Sequence, residues 1–136
     1  MKIQTTVIAF IMALLLSALA GCSSKTSGLK EGGIYYFKNE HGAFSVLKIL
    51  KVESAGVHFR IYSNQFDSPP DKIDESALTM AGINHKPNEI IGVPDMALTG
   101  ASFESVYKTT FVQQSTVTDQ ELEPYKAWKK GNGKYF

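Results

Sequence analysis

Past residue 30 the chain alternates between apolar and polar positions in the manner of β-strands. Residues 34–37, Ile-Tyr-Tyr-Phe, are aromatic and β-branched, and Asn39-Glu40-His41-Gly42 forms a polar turn ending in glycine. That order predicts a hairpin into a second strand, 44–52. Residues 53–56 make another turn, with Gly56 where a positive φ is often needed. Val57, Phe59 and Ile61 then alternate strictly with His58, Arg60 and Tyr62, completing a three-stranded meander. Strand 44–52 is apolar on both faces, with Phe44, Val46, Leu50 and Val52 on one and Leu47 and Ile49 on the other. It is therefore predicted to lie centrally and to be covered twice, although Lys48 interrupts the first face.

The second half is patterned less regularly. The segment 64–71 contains Pro69-Pro70 and reads as an exposed connection, because paired prolines break both helix and ladder. A short helical turn over 73–80 is started by Asp74 or Ser76, and 81–89 is a loop. Two further strands, 89–93 and 103–114, flank a loop at 94–102. Thr118-Asp119-Gln120-Glu121 matches a capping box, and Leu122, Tyr125 and Trp128 recur at helical spacing on one side. Pro124 either kinks this helix or forces its start near Glu123, and Gly131 ends it. The predicted fold is α+β and mostly β: a small bent antiparallel sheet or an SH3-like partial barrel, with one C-terminal helix.

Ahead of this domain the pattern changes. Met1-Lys2 is positively charged, residues 7–16 are apolar without interruption, and 17–21 are mostly small. That three-part layout is an export signal. Ten apolar residues fall well short of the roughly 20 that a bilayer-spanning helix needs. The only cysteine, Cys22, follows at once and has no second cysteine with which to form a bridge.

Leu19-Ala20-Gly21-Cys22 resembles the lipobox of bacterial lipoproteins. The resemblance implies that the Cys22 thiol is acylated with diacylglycerol and that the signal is cleaved between Gly21 and Cys22. One acyl chain binds a membrane only marginally, and the lipidated cysteine of this family carries more than one. The organisation that follows is a removed signal over 1–21, a lipidated N-terminus and flexible polar tether over 22–30, and a single globular β-rich domain over 31–136. In this family an aspartate after the cysteine favours the inner membrane, whereas Ser23 stands here. The implied location is the outer membrane, with the domain facing the periplasm. Beyond the lipobox, the layout and the ending Glu121-Leu122-x-x-Tyr125-x-x-Trp128 resemble small bacterial lipoproteins, including periplasmic immunity proteins encoded beside interbacterial toxins.

Charge narrows the partners. The chain has 14 Lys and Arg against 13 Asp and Glu, and Lys2 lies in the signal, so the mature domain is balanced. With no basic stripe, nucleic acid is not an expected partner. The expected ones are the membrane, through the lipid on Cys22, and a protein or cell-wall component.

Candidate chemistry is sparse. His41, His58 and His85 are far apart and none has a partner at metal-ligand spacing, so no metal or cofactor is expected. His41 falls in a turn, His58 on the polar side of a strand as a solvated residue, and His85 in a loop. The tetrads Ser45-Val46-Leu47-Lys48 and Ser105-Val106-Tyr107-Lys108 match S-x-x-K but fall in predicted strands, away from the helix start that such enzymes use. No nucleophile elbow or phosphate loop is present. Asp71, Asp74 and Glu75 read as capping and solubilising residues. Tyr35, Tyr36, Tyr62, Tyr107, Tyr125 and Trp128 read first as core, with Tyr62 and the 64–71 loop as the better candidates for an interface. The sequence thus points to a non-enzymatic binding module. The alternative is a small envelope hydrolase whose catalytic acid and base come from different strands.

Overall fold

The computed structural model describes residues 28–136. Five antiparallel strands form one open sheet: β1 (Gly33–Lys38), β2 (Phe44–Val52), β3 (Val57–Phe66), β4 (Val93–Leu98) and β5 (Thr110–Gln114), in the order β4-β3-β2-β1-β5. Two helices, α1 (Gly100–Val106) and α2 (Glu123–Lys130), complete an α+β, mostly-β domain. The bent sheet is the architecture read from the sequence, with a second helix added.

The β1–β2 turn forms as its residues dictate. Gly42 takes φ +80°, which glycine adopts without steric cost. The Asn39 carboxamide oxygen accepts from the backbone N–H groups of His41 and Ala43 at 3.0 and 3.1 Å. At the β2–β3 turn the reason for glycine is different. Gly56 has no positive φ; instead a Cβ there would lie 2.4 Å from the Leu98 carbonyl oxygen and 2.4 Å from the Tyr135 ring. Backbone cannot yield as a side chain can, so Gly56→Ala is expected to lower stability by about 1–3 kcal/mol through overpacking. Thermal melts read this directly, and an unchanged midpoint would refute the close approach.

β2 is central and covered on both faces, as its pattern predicts. One core holds Tyr35, Phe37, Leu47, Ile49, Phe59, Ile61 and Phe103; the other holds Ile34, Val46, Tyr62 and Ile73. The register shifts between Ile49 and Lys51, where β2 accommodates one more residue than β3. This bulge carries Val52 to the face of Leu47 and Ile49, against the alternation expected of it.

Three other expectations are corrected. β3 runs on to Phe66, three residues into the segment read as loop, because Gln65 and Phe66 still pair with Ser45 and Phe44. The strand placed at 89–93 is instead β4, beginning at Val93; Glu89 contributes only an isolated bridge to Asn64. Pro94 is tolerated because β4 is an edge strand. Residues 103–106, read as strand, are the end of α1, so Ser105 of the second S-x-x-K tetrad is helical. Thr99 caps α1 by accepting from the Ser102 N–H at 3.2 Å, and buried Phe103 meets Phe59 edge-on at 5.0 Å. Gly131 ends α2 as read, and the left-handed residue that follows is Asn132 at φ 53°.

The capping box forms as read: Thr118 N–H donates to the Glu121 carboxylate at 2.9 Å and Glu121 N–H to Thr118 Oγ1 at 3.2 Å. It closes a turn just before α2, which begins at Glu123 and so places Pro124 in the first turn, where no intrahelical N–H is needed. α1 covers the first face of the sheet; α2 and the residues after it cover the second.

Candidate functional site

On the second face, β3 carries His58, Arg60 and Tyr62 in alternation. His58 was expected to be solvated, yet it is fully buried. The period-two pattern puts it opposite the main core but cannot show that a second layer covers that face. Tyr125 and Trp128 of α2 and Tyr135 beyond it surround the imidazole with ring centroids at 4.7, 4.4 and 5.2 Å, each steeply inclined to it. His58 Nδ1 lies 3.0 Å from both carboxylate oxygens of Asp95 on β4, so it carries the proton and donates. Its Nε2 is buried with no hydrogen-bond partner among the described residues. A histidine oriented by a carboxylate resembles half of a catalytic set, but these three rings fill the space in which a substrate would sit. This is a sealed core dyad.

Glu53, at the β2–β3 turn, ties down the rim of the aromatic cluster. It accepts from the Tyr125 hydroxyl, from the Tyr135 hydroxyl at 2.9 Å and from Lys129 at 3.3 Å. The Tyr125 hydrogen bond holds its carboxyl below the ordinary carboxylate range, burial opposes, and Tyr135 and Lys129 reinforce the lowering. Desolvation and the Glu53 charge together push the Tyr135 phenol up.

Lys48, the residue that interrupts an apolar face, is also buried on the second face. Its ammonium reaches Glu121 at 3.0 Å and the Thr116 carbonyl at 2.7 Å, while Arg60 approaches the same carboxylate at 3.6 Å. Burial raises the Glu121 pKa, but the Thr118 N–H, Lys48 and Arg60 outweigh it, and the net direction is downward. Burial and the Glu121 charge push the neighbouring Tyr62 phenol up to about 12. Tyr62 is thus buried, as its first reading as a core residue expects, and its burial leaves no exposed ring for the alternative interface role.

Open space lies at the end of the sheet where the β1–β2 turn, the end of β3 and the segment entering β4 meet. Its polar half, about 510 Å³, is lined by Glu40, His41, Gln65, His85 and Glu89. Its apolar half, about 370 Å³, is lined chiefly by Phe37, Ile61, Val93, Val106 and Tyr107. Glu40, Ile90 and Ile91 belong to both halves. The polar floor is held in place: Asn39 donates to the Gln65 side chain at 2.8 Å, and Glu89 accepts from Thr79 at 3.3 Å and from the Lys86 N–H at 3.1 Å. His41 and His85, distant in sequence, line one groove. Even so, among the described residues no three His, Cys, Asp or Glu side chains lie close enough to hold a metal ion.

Cys22 and the Gly21–Cys22 cleavage position lie outside the described residues. No described helix is long and apolar enough to cross a membrane. The chain matches no protein-family profile, no curated protein and no solved structure. Of the expected interface residues, only Gln65 of the 64–71 segment lines the groove. The groove residues that sequence reasoning missed, Glu89, Ile90 and Ile91, gave no signal because they were read as part of a strand over 89–93, whose successive side chains alternate between faces.

Proposed function

We propose that this chain is a lipoprotein anchored in the outer membrane through Cys22, with its domain facing the periplasm as a non-enzymatic binding module of an immunity or envelope-maintenance type. One observation carries the reading: the positively charged start, the apolar run over 7–16 and Leu19-Ala20-Gly21-Cys22 stand in the order that export and acylation require. The groove supports it, being open and partly apolar as a recognition surface needs to be. The sealing of His58 beneath three aromatic rings supports it too, since an inaccessible imidazole serves no substrate.

Cys22→Ser is expected to leave an uncleaved precursor that takes up no fatty-acid probe, with the wild type labelled and fractionating with the outer membrane. Labelling that persists in the variant overturns the anchor. For the binding role, photo-crosslinking residues placed across the domain surface in intact cells are expected to trap a discrete envelope partner.

A second reading, the small envelope hydrolase, is favoured by a single observation: the groove brings His41 and His85 beside Glu40 and Glu89. It predicts that purified protein cleaves peptidoglycan or simple ester substrates and that His41→Ala with His85→Ala abolishes the cleavage.

A further inference from the structure

Among the described residues, neither carboxylate of the groove has a lysine or arginine within ion-pair distance. Glu40 meets only His41, at 3.7 Å with its own side chain 89% exposed, and Glu89 accepts from a hydroxyl and a backbone N–H. No lysine or arginine lines the polar half of the groove; Lys38 lines the apolar half. Ile91, which lines both halves, and Val106, which lines the apolar half, are 53% and 64% exposed.

From this pairing of unneutralised carboxylates with exposed aliphatic groups we infer that the groove docks a segment of a partner protein in which a lysine or arginine adjoins an apolar side chain. The cation lies between Glu40 and Glu89, and the apolar group lies against Ile91 and Val106. Charge complementarity sets the orientation, and the apolar contact provides the burial. The direction of the domain fits as well. The described chain enters at Gly28, next to the start of β1, where Gly33 N–H donates to the Lys30 carbonyl at 2.9 Å. The groove lies at the opposite end of β1, beside Lys38 and Asn39. A domain tethered through its N-terminal side therefore presents this groove away from the anchoring surface.

The inference rests on the binding-module reading and is tested separately from it, on the purified domain. Amide NMR spectra are recorded with the blocked tripeptides acetyl-Leu-Lys-Leu-amide and acetyl-Leu-Glu-Leu-amide at millimolar concentration. The lysine peptide is expected to shift the amides of Glu40, His41, Gln65, Glu89 and Ile91, more weakly at high salt, whereas the glutamate peptide leaves them in place. Glu40→Lys, at an exposed position that leaves the fold intact, is expected to weaken the lysine peptide about threefold to fivefold, as for loss of an exposed ion pair. Equal shifts from both peptides, no shift from either, or shifts confined to another surface overturn the inference. So does a zinc chloride titration that moves these amides when the lysine peptide does not. Partner crosslinking in cells through a different surface would remove the groove assignment alone, and the absence of any partner would remove the reading beneath it.

Discussion

Phe59→Ala is expected to cost about 3–5 kcal/mol, the largest loss of any single apolar truncation in this domain. Phe59 lies on β3, next to central β2, with its side chain fully buried. It meets Phe103 at 5.0 Å and Tyr107 at 5.2 Å, both edge-on, and so joins the sheet to α1. Truncation removes the transfer energy of the ring and leaves a void between two elements that cannot both close on it. α1 has only 7 residues, too few to persist without this packing. For a domain of this size each kcal/mol shifts the thermal midpoint by about 4–8 °C. A drop of about 12–40 °C by calorimetry is therefore expected, with Phe59→Leu losing much less. A loss below about 1 kcal/mol would show that the face collapses freely and that α1 does not depend on it.

Glu121→Ala is expected to cost a similar amount, about 3–5 kcal/mol, for an electrostatic reason. The substitution leaves Lys48, only 4% exposed, with a single carbonyl partner and leaves Arg60 beside it without a counter-charge. Burying a charge without its partner costs far more than the pair contributes when intact. The double variant Lys48→Met with Glu121→Leu is consequently expected to recover at least half of the loss, because Arg60 is partly exposed and can reach water. No recovery in this cycle would show that the single substitution acts through the capping box alone. Acid gives a further test. Glu121 and Glu53 both have pKa values lowered in the folded protein. Their contribution is therefore fully present above the unfolded carboxylate pKa of about 4.3 and lost as pH falls through the folded values. Wild-type stability should decline from about pH 5 downward, and Glu121→Gln should decline less steeply over that range.

Much of the first half was legible in the sequence. The hairpin at Asn39–Gly42, the meander and the double coverage of β2 follow from local chemistry: a glycine free to take φ +80°, β-branched and aromatic runs, and a strand apolar on both sides. The capping box and the entry of α2 at Glu123 were legible for the same reason. The region between β3 and the capping box was less so. The segment GASFESV of α1 contains glycine, serine and valine, so its helical state comes from Thr99 capping and Phe103 packing and not from propensity. Val52 changed faces at a bulge, and a one-residue slip reverses the side chains beyond it.

The sequence by itself determined the features that depend on near neighbours: the turns, and which strands are apolar. Whether a polar side chain on a strand meets water or another layer depends on residues 60 to 80 positions away. Only the tertiary structure therefore decided that His58 lies sealed beneath Tyr125, Trp128 and Tyr135, that Lys48 is buried against Glu121, and that Glu40 and Glu89 share an open groove. The physical reason is that desolvation is set by what covers a group, and coverage across the sheet leaves no periodic trace in the strand that is covered.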